Sequence, residues 1–431
     1  MSNKSQDDIA RDILLETERQ PARERDAYQQ RSLQIMLRHA FEQTDFYRHR
    51  LAPIMIPNDG IDLSDWVDIP LLARADIQAN PEPLFAAQTP KQAGKSDESF
   101  TSGSTGDPLR IRFSGITSQV SHAIHHRTYI WNDIDFDQDL ASIRTMAAGK
   151  ALPPDGAIAK SWNPWGSGRR YDLNLRGTTV ADQVTWLADR KVKYLRGFPS
   201  MCREVLEEGG RQGVDFGLTH LLTTGERVPA ELVGDKPSHW PIVVDVYATS
   251  ETGAIASQCQ YGNYHVHTEN VLLEILNADG HPVQPGEIGR VVVTSLYNFA
   301  MPFIRYAIGD YAEQGGGDCP CGRTLPLIKR IVGRQRDFFR FPGERTVWPM
   351  LSARRLQAFV PHRSRQIAQV EPLAVEFRYL PMASDQTEDR QGLAAYIADN
   401  LQPGLQVKLV RLSNAGRPHG EKRLDYVCEL N

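Results

Sequence analysis

The stretch Ser99-Phe-Thr-Ser-Gly-Ser-Thr-Gly-Asp-Pro108, followed by Leu109-Arg-Ile-Arg-Phe113, is the most informative about the fold. Every residue from Thr101 to Gly106 is a hydroxyl residue or glycine. Such a loop can surround a polyphosphate with backbone N–H groups and hydroxyls, because glycine permits close approach and unusual dihedral angles. The loop lacks the Gly-Lys-Ser/Thr ending of a Walker loop, and the alternation in 109–113 predicts a strand. On its own, the stretch fits a surface hairpin turn equally well.

Length and composition limit the class of protein. The 431 residues suffice for two or three domains, and 41% hydrophobic and 24% charged residues are ordinary for a globular protein. A net charge of −4 gives no electrostatic case for binding nucleic acid or an anionic membrane. The sequence has no apolar stretch of ~18 residues and no signal peptide. We therefore expect a soluble, cytoplasmic protein with reduced thiols.

The pattern of apolar residues predicts an α/β protein. Helical and strand-like segments alternate between residues 184 and 247, which is typical of a substantially parallel sheet. Residues 271–276 and 290–295 predict antiparallel strands, and the tail after residue 334 predicts a small α+β domain. The first ~25 residues are highly charged, and we expect them to be frayed or peripheral.

Polar residues follow two strand-like runs at places where α/β sheets bind ligands. One is Thr223-Thr-Gly-Glu226; the other, 243–253, delivers an aspartate, an aromatic ring, hydroxyls and a carboxylate within a few residues. These groups suit a purine, its exocyclic amine and a magnesium ion beside phosphates. The second run also fits a strand with a helix N-cap at Thr249 or Ser250.

Two further segments are compatible with nucleotide binding. Asp310 follows a glycine turn and could bind ribose hydroxyls, although a solvated β-turn explains it as well. Residues 331–337 lie where the composition changes, and they predict an interdomain hinge whose arginines are available for phosphate.

Three cysteines and a histidine have the spacing of a metal site: Cys259, His265, Cys319 and Cys321. They form a Cys-x5-His pair and a Cys-x-Cys pair, the latter in a turn rich in glycine. Three sulfurs and one nitrogen suit a tetrahedral zinc ion with no open position, hence a structural one. The alternative is incidental cysteines and a core histidine, and His267 is a competing ligand. Cys202 and Cys428 fit ordinary buried or tail cysteines.

In this order, the segments resemble the adenylate-forming superfamily of acyl-CoA synthetases, amino-acid adenylation domains and luciferases, and most of all its phenylacetate–CoA ligase-like branch. Further branch-like segments are 37–47, 69–74, 196–200, 286–289 and 301–306. The resemblance spans roughly residues 30 to 425. It implies a large N-terminal adenylate-forming domain (1–333) of parallel sheets plus a β-barrel-like subdomain, and a small mobile α+β C-terminal domain (334–431). In this branch, the positions of the two Cys/His pairs often hold a metal.

The resemblance also implies a set of ATP-binding residues: Thr101, Ser102, Gly103, Ser104, Thr105, Gly106, Gly225, Glu226, Asp245, Tyr247, Ser250 and Asp310. The loop 101–106 would hold the β- and γ-phosphates, and Asp310 the ribose hydroxyls. Tyr247 would stack on the adenine, and Asp245 would accept a hydrogen bond from the adenine amino group. Residues 225–226 would lie at the edge of the adenine.

Three residues would be catalytic: Glu251, Arg334 and Lys422. Glu251, with Ser250, would meet the α-phosphate and Mg²⁺, and Arg334 would help Asp310 to hold the ribose. Lys422 is the best match to the lysine of the small domain. It lies in Gly420-Glu-Lys-Arg423, with one residue more than usual between glycine and lysine.

The implied reaction is the adenylation of a small, aromatic carboxylic acid, followed by rotation of the small domain and transfer to CoA. The chain departs from the branch at Asp107, Ala248 and Arg336, and in the acid-pocket segments 145–154 and 161–168. Because of these departures, two alternatives stay open. The acyl group could be transferred to an amine, a carrier-protein thiol or nitrite in a specialised biosynthetic pathway, or the chain could be a non-catalytic nucleotide-binding relative. Among relatives dimers are common, so a homodimer is possible.

Overall fold

The computed structural model describes residues 6–56, 60–101, 108–234, 236–334, 337–343, 345–349, 351–382, 387–413 and 425–430. The helices are α1 (Gln6–Thr17), α2 (Ala22–Gln43), α3 (Asp45–Arg50), α4 (Arg74–Ala79), α5 (Gly115–Trp131), α6 (Val180–Ala188), α7 (Pro199–Arg211), α8 (Ala230–Val233), α9 (Ala353–Phe359) and α10 (Arg390–Leu401). The strands are β1 (Met55–Ile56), β2 (Gly60–Ile61), β3 (Ser96–Phe100), β4 (Arg110–Ser114), β5 (Leu140–Arg144), β6 (Ala157–Ala159), β7 (Arg170–Asn174), β8 (Tyr194–Gly197), β9 (His220–Thr224), β10 (Ile242–Thr249), β11 (Gly253–Gln258), β12 (Tyr264–Val266), β13 (Val271–Leu276), β14 (Ile288–Ser295), β15 (Tyr306–Gln314), β16 (Leu327–Arg334), β17 (Phe339–Phe341), β18 (Arg345–Val347), β19 (His362–Glu371), β20 (Ala374–Pro381), β21 (Gln406–Arg411) and β22 (Tyr426–Cys428).

Contacts divide the chain into two compact units. Unit 1 comprises Met1–Ile134 and Val244–Val332, and unit 2 comprises Asp135–Val243 and Gly333–Asn431. One break falls at the predicted hinge, between Val332 and Gly333. The division into functional domains 1–333 and 334–431 stays a prediction.

Unit 1 contains a largely antiparallel sheet in the order β13-β14-β15-β16-β12-β11-β10. The predicted antiparallel strands at 271–276 and 290–295 are confirmed as neighbours, β13 and β14. The period-two strand is also confirmed, as β4, which pairs with β3 in a hairpin. Arg110 and Arg112 both bind Glu98 across this hairpin, and their hydrogen bonds lower the pKa of that carboxyl to about 2.

A buried arginine fastens the segment before α4 to this sheet. The Arg305 guanidinium donates to the backbone carbonyls of Val67 and Ile69 at 2.6 and 2.7 Å and also pairs with Glu274 at 3.2 Å. The Arg305 carbonyl accepts from the N–H of Leu72 at 2.9 Å. Two segments that are far apart in sequence, 66–72 and 301–306, therefore form one packed layer, with Leu72, Phe303 and Tyr306 in the same apolar core.

Unit 2 begins with the predicted parallel sheet, in the order β9-β8-β5-β7, with β6 antiparallel at its edge. The apolar faces of α6 and α7 pack against its buried strands. The carboxyl-terminal residues form a four-stranded sheet, β21-β20-β19-β22, whose core includes α9 and α10. The mixed α/β fold with a small α+β region at its end is thus confirmed.

Two expectations were wrong. The described part of the first 25 residues is not frayed: α1 packs on α5, and Leu14, Glu18 and Arg25 are buried. Their charge does not keep these groups in solvent, because segments distant in sequence supply partners for Glu18 and Arg25. No helix is capped at Thr249 or Ser250 either; the chain turns there into β11, and the Thr249 hydroxyl accepts from the N–H of Thr252.

Among the described residues, no helix combines the length and the apolarity that a membrane span requires.

Gly333, at the predicted hinge, is conformationally constrained. Its φ is +141°, and a Cβ built there would lie 2.0 Å from the Trp348 indole. We expect Gly333→Ala to lower the thermal unfolding midpoint of unit 2, because a strained backbone conformation alone costs about 1–3 kcal/mol.

The matched control is Gly210→Ala, near the end of α7, where an added Cβ meets open space. Alanine is the better helix former by roughly 0.5–1 kcal/mol, so this variant should melt at the same temperature or slightly higher. Equal melting of the two variants would contradict the proposed constraint at Gly333.

Candidate functional site

Thr101 is the residue of the predicted phosphate loop that the structure describes. Its N–H donates to the carbonyl of Leu109, and its hydroxyl accepts from the N–H of Leu109, both at 2.9 Å. These bonds close the base of the loop between β3 and β4. Ser102, Gly103, Ser104, Thr105 and Gly106, together with Asp107, lie outside the described residues.

Two buried tyrosine–carboxylate bonds organise the predicted nucleotide residues of unit 1. The Tyr247 hydroxyl donates to Asp310 at 2.8 Å, and the Tyr264 hydroxyl donates to Asp245 at 2.7 Å. All four side chains are buried. A β-bulge between Tyr247 and Ala248 re-aims the end of β10. The structure thus brings Asp245 and Tyr247 of β10 together with Asp310 of β15, although three strands separate β10 from β15 in the sheet order.

Glu251 lies in the turn between β10 and β11 and has two partners from distant segments. The Tyr306 hydroxyl donates to its carboxylate at 3.2 Å, and the Arg74 guanidinium lies 3.5 Å away. Burial, with the nearby Glu251 charge, raises the pKa of Tyr306, so this phenol keeps its proton as a donor. Ser250 beside it is exposed. A carboxylate in a turn, mostly buried but next to an exposed serine and held by a phenol and a cation, is suited to meeting a metal–phosphate group.

Sequence reasoning missed Arg74, Tyr264 and Tyr306 as supports of these carboxylates. Arg74 and Tyr306 lie in the branch-like segments 69–74 and 301–306, so their presence was noticed but their role was not. The layer fastened by Arg305 brings the two segments together, because Leu72 pairs directly with Tyr306.

The predicted residues of unit 2 occupy loops at the ends of its elements. Gly225 has φ +86°, which a side chain would strain, and Glu226 accepts from the N–H of Ser200 at the start of α7. The Arg334 N–H donates to Asp337 at 3.0 Å, which tightens the hinge turn. Lys422 and Arg336 lie outside the described residues.

The predicted metal ligands form one cluster in unit 1: the ligand atoms of Cys259, His265, Cys319 and Cys321 lie within 4.8 Å of one another. The sulfurs of Cys259 and Cys319 are 3.7 Å apart, and His265 Nε2 is 3.3 Å from the sulfur of Cys321. Zinc–sulfur bonds of about 2.3 Å in a tetrahedron put two sulfurs about 3.8 Å apart. The sulfur–sulfur distance is therefore close to that of a tetrahedral zinc site.

Burial and Arg323 set the protonation of the side chains in the cluster. Burial and the nearby positive charge of Arg323 lower the pKa of His265 to about 4, so its ring is neutral, as a ligand must be. Burial raises the pKa of Cys259 to about 12, while hydrogen bonds from Arg323 lower the pKa of Cys321 against the effect of burial.

His267, the competing ligand, belongs to a different buried network. Its Nδ1 lies 2.7 Å from the Arg127 guanidinium and its Nε2 lies 2.8 Å from the Ser257 hydroxyl. Arg127 also pairs with the buried Glu269 at 2.7 Å. This network fixes α5 against the sheet and leaves the cluster to the four predicted residues.

No family model matches the chain. It is 25% identical to the phenylacetate–coenzyme A ligase of Thermus thermophilus, over 94% of this chain and 97% of that protein. It is 26% identical to the Escherichia coli enzyme of the same name, over 74% of this chain and 72% of that protein.

The fold matches that of solved CoA ligases. A crystal structure of 2-hydroxyisobutyryl-CoA ligase in the postadenylation state has a TM-score of 0.75, 19% identity, and coverage of 96% of this chain and 91% of that one. The same enzyme in the thioesterification state, with CoA, has a TM-score of 0.59, 20% identity, and coverage of 96% and 92%. Anthranilate CoA ligase in complex with anthranoyl-AMP has a TM-score of 0.55 and 14% identity, over 75% of this chain and 64% of that one.

Fold and relatives point to the same class: in sequence the chain is similar to acid–CoA ligases, and in fold it matches adenylate-forming enzymes of that type. Within that class, the predicted resemblance to the phenylacetate–CoA ligase-like branch is confirmed. The roles of individual site residues stay predictions.

The Tyr264–Asp245 bond can be tested by Tyr264→Phe. Removing a donor to a buried charged group costs about 1.5–3 kcal/mol, so the variant should unfold at a lower urea concentration. Tyr261→Phe, three residues away and 54% exposed, is the control and should unfold with the unmodified protein. Unchanged unfolding of Tyr264→Phe would show that the bond contributes nothing.

Proposed function

We propose that this enzyme adenylates a small carboxylic acid with ATP and then transfers the acyl group to CoA. The acid's carboxylate oxygen attacks the α-phosphorus and pyrophosphate leaves, giving acyl-AMP. The CoA thiol then attacks the acyl carbonyl, loses its proton and displaces AMP. The observation that carries this proposal is the group of acidic residues in unit 1, Asp245, Glu251 and Asp310, each held by a tyrosine.

This group can bind a nucleotide in a defined orientation. The Tyr247 hydroxyl orients the Asp310 carboxylate, which leaves oxygen lone pairs to accept from ribose hydroxyls. The Tyr247 ring can stack on adenine, and Asp245, fixed by Tyr264, can accept from its amino group. Alignment of the α-phosphate for in-line attack then follows from fixing both ends of the nucleoside.

We further propose that Glu251 holds the Mg²⁺ that accompanies ATP, with Ser250 beside it. When bound, such an ion neutralises charge on the phosphates and on the departing pyrophosphate. Arg74, 3.5 Å from Glu251, contributes a second positive charge there. Asp107 stands where a cation is common in the branch, so Arg74 would offset the missing charge.

The acid is proposed to be aromatic, because the curated relatives are named phenylacetate ligases and one structural neighbour is an anthranilate ligase. The hydroxyisobutyryl-CoA ligase structures give an aliphatic precedent. Acid-dependent pyrophosphate release should therefore be measured with benzoic, hydroxy- and aminobenzoic, phenylacetic and short aliphatic acids, each with and without CoA.

Release that depends on one acid and yields its CoA thioester supports the proposal. Release without thioester points to another acceptor, namely an amine, a carrier-protein thiol or nitrite. No release with any acid, while ATP still binds, supports the non-catalytic relative. A cytoplasmic location and a homodimer stay predictions.

For the magnesium site, we expect Glu251→Gln to reduce acid-dependent pyrophosphate–ATP exchange by about 100-fold, as lost electrostatic stabilisation of a transition state typically does. Glu287→Gln is the control, since Glu287 is exposed in a turn and accepts from the N–H of Gln284. Exchange that survives Glu251→Gln would refute the assignment.

We also propose that Cys259, His265, Cys319 and Cys321 bind one structural zinc ion. Protein purified without chelator or affinity metal should contain about one zinc per chain by elemental analysis. Cys319→Ser should reduce the zinc content to background, whereas Cys428→Ser, outside the cluster, should retain it. Background zinc in the unmodified protein would overturn the site.

A further inference from the structure

Three charged side chains meet inside unit 2, and they come from segments on both sides of the hinge. The Glu231 carboxylate, on α8, lies 3.1 Å from the Arg203 guanidinium of α7 and 3.3 Å from the Arg365 guanidinium of β19. Both arginine side chains are almost fully buried, at 4% and 5% exposure. The same carboxylate oxygen takes both contacts, so Glu231 is the centre of the cluster.

The cluster is electrostatically demanding. Two guanidinium groups share one carboxylate oxygen, and like charges this close repel each other in a poorly solvated place. The carboxylates of Asp425 and Glu207 also face the arginines. Burial lowers the pKa of Arg203, but the negative charges of Asp425, Glu207 and Glu231 outweigh this effect and raise it overall. The pKa of Arg365 is raised in the same way, with Asp425 and Glu231 acting against burial. The arginines are therefore stable in this place only while the carboxylates surround them.

The cluster joins two parts of unit 2 that the hinge separates in sequence. Arg203 and Glu231 belong to residues 135–243, which we call the central part. Arg365 and Asp425 belong to residues 333–431, which we call the carboxyl-terminal part. A second contact joins the same parts, because the Arg227 guanidinium lies 5.7 Å from the Trp348 ring, and that ring packs on Gly333 at the hinge.

We propose that Arg203, Glu231 and Arg365 form a latch that positions the carboxyl-terminal part for one of the two half-reactions and must open for the other. This inference rests on the proposed function and on the rotation of the small domain between adenylation and thioester formation, which the resemblance implies. Glu231 is a positioning residue, since it acts through the orientation of a whole region. Breaking this buried, shared ion pair disfavours the closed arrangement, in which Glu231 contacts Arg365. It leaves the open arrangement, in which this contact is absent, unaffected.

The test compares Glu231→Gln with the unmodified enzyme in each half-reaction. Adenylation is followed by acid-dependent pyrophosphate–ATP exchange, and thioester formation by release of AMP from preformed acyl-AMP when CoA is added. We expect the two rates to change in opposite directions, with their ratio shifting by about fivefold or more. Parallel changes, or no change in either rate, would overturn the latch.

Glu208→Gln is the matched control. Glu208 is on the same helix as Arg203, but its hydrogen bonds go to Arg211 and Gln212 at the end of that helix, and Arg363 of the carboxyl-terminal part acts on it through charge alone. This variant should leave both half-reaction rates within twofold of the unmodified enzyme. Arg365→Lys keeps the charge but loses the planar guanidinium, and it should shift the ratio in the same direction as Glu231→Gln, by a smaller factor.

Hydrogen–deuterium exchange separates failure of the latch from failure of the proposed function, because it needs no substrate. In Glu231→Gln we expect faster exchange in α8 and in residues 337–349, with β19 and β20 still protected by their shared sheet. Unchanged exchange overturns the latch even when no acid supports activity. Faster exchange throughout unit 2 would mean that Glu231 only stabilises the fold, and this result would overturn the latch as well.

Discussion

The buried guanidinium of Arg305 holds together the elements on which the site depends. Its side chain donates to carbonyls of the segment before α4 and pairs with Glu274. Burial raises the pKa of Glu274 even beside this arginine, which shows how strongly the pair is removed from water. Such a pair is favourable only when the remaining donors are satisfied, and three backbone carbonyls satisfy them here. Through this connection, Arg74 reaches Glu251 across more than 170 residues of sequence.

The residues proposed for nucleotide binding and those proposed for zinc binding lie on one sheet of unit 1. β10 and the turn after it carry Asp245, Tyr247 and Glu251, while β11 leads to Cys259 and β12 carries His265. β10 pairs with β11, which places Tyr247 opposite Ala256, and β11 pairs with β12, which places Ser257 opposite His265. A metal bound at the cluster would fix the register of β11 and β12, and with it the strand from which Tyr247 projects. Such an ion would brace the proposed nucleotide site without taking part in the reaction.

Local patterns predicted this molecule well where the chemistry is local. The alternation of 109–113, the parallel strands of unit 2 and the four ligand residues of the cluster follow from residue type and spacing, and the structure contains each of them. The supports of the carboxylates could not be found in this way, because Arg74 and Tyr306 come from segments that meet only through tertiary packing. The charged amino-terminal segment was misread for the same reason. Glu18 is buried because Trp131 and Arg323, both distant in sequence, supply its partners.

The amino-terminal segment has a further consequence for how the chain is made. Thr17 donates to Glu269, 252 residues later, and the Glu18 carbonyl accepts from Thr324, 306 residues later. A ribosome adding 5–20 residues per second needs roughly 15 to 60 s to synthesise the intervening chain. During that interval Glu18 and its neighbours have none of these partners. Completion of unit 1 must therefore wait for the loop that carries Cys319 and Cys321, which closes the fold around a segment made some 300 residues earlier.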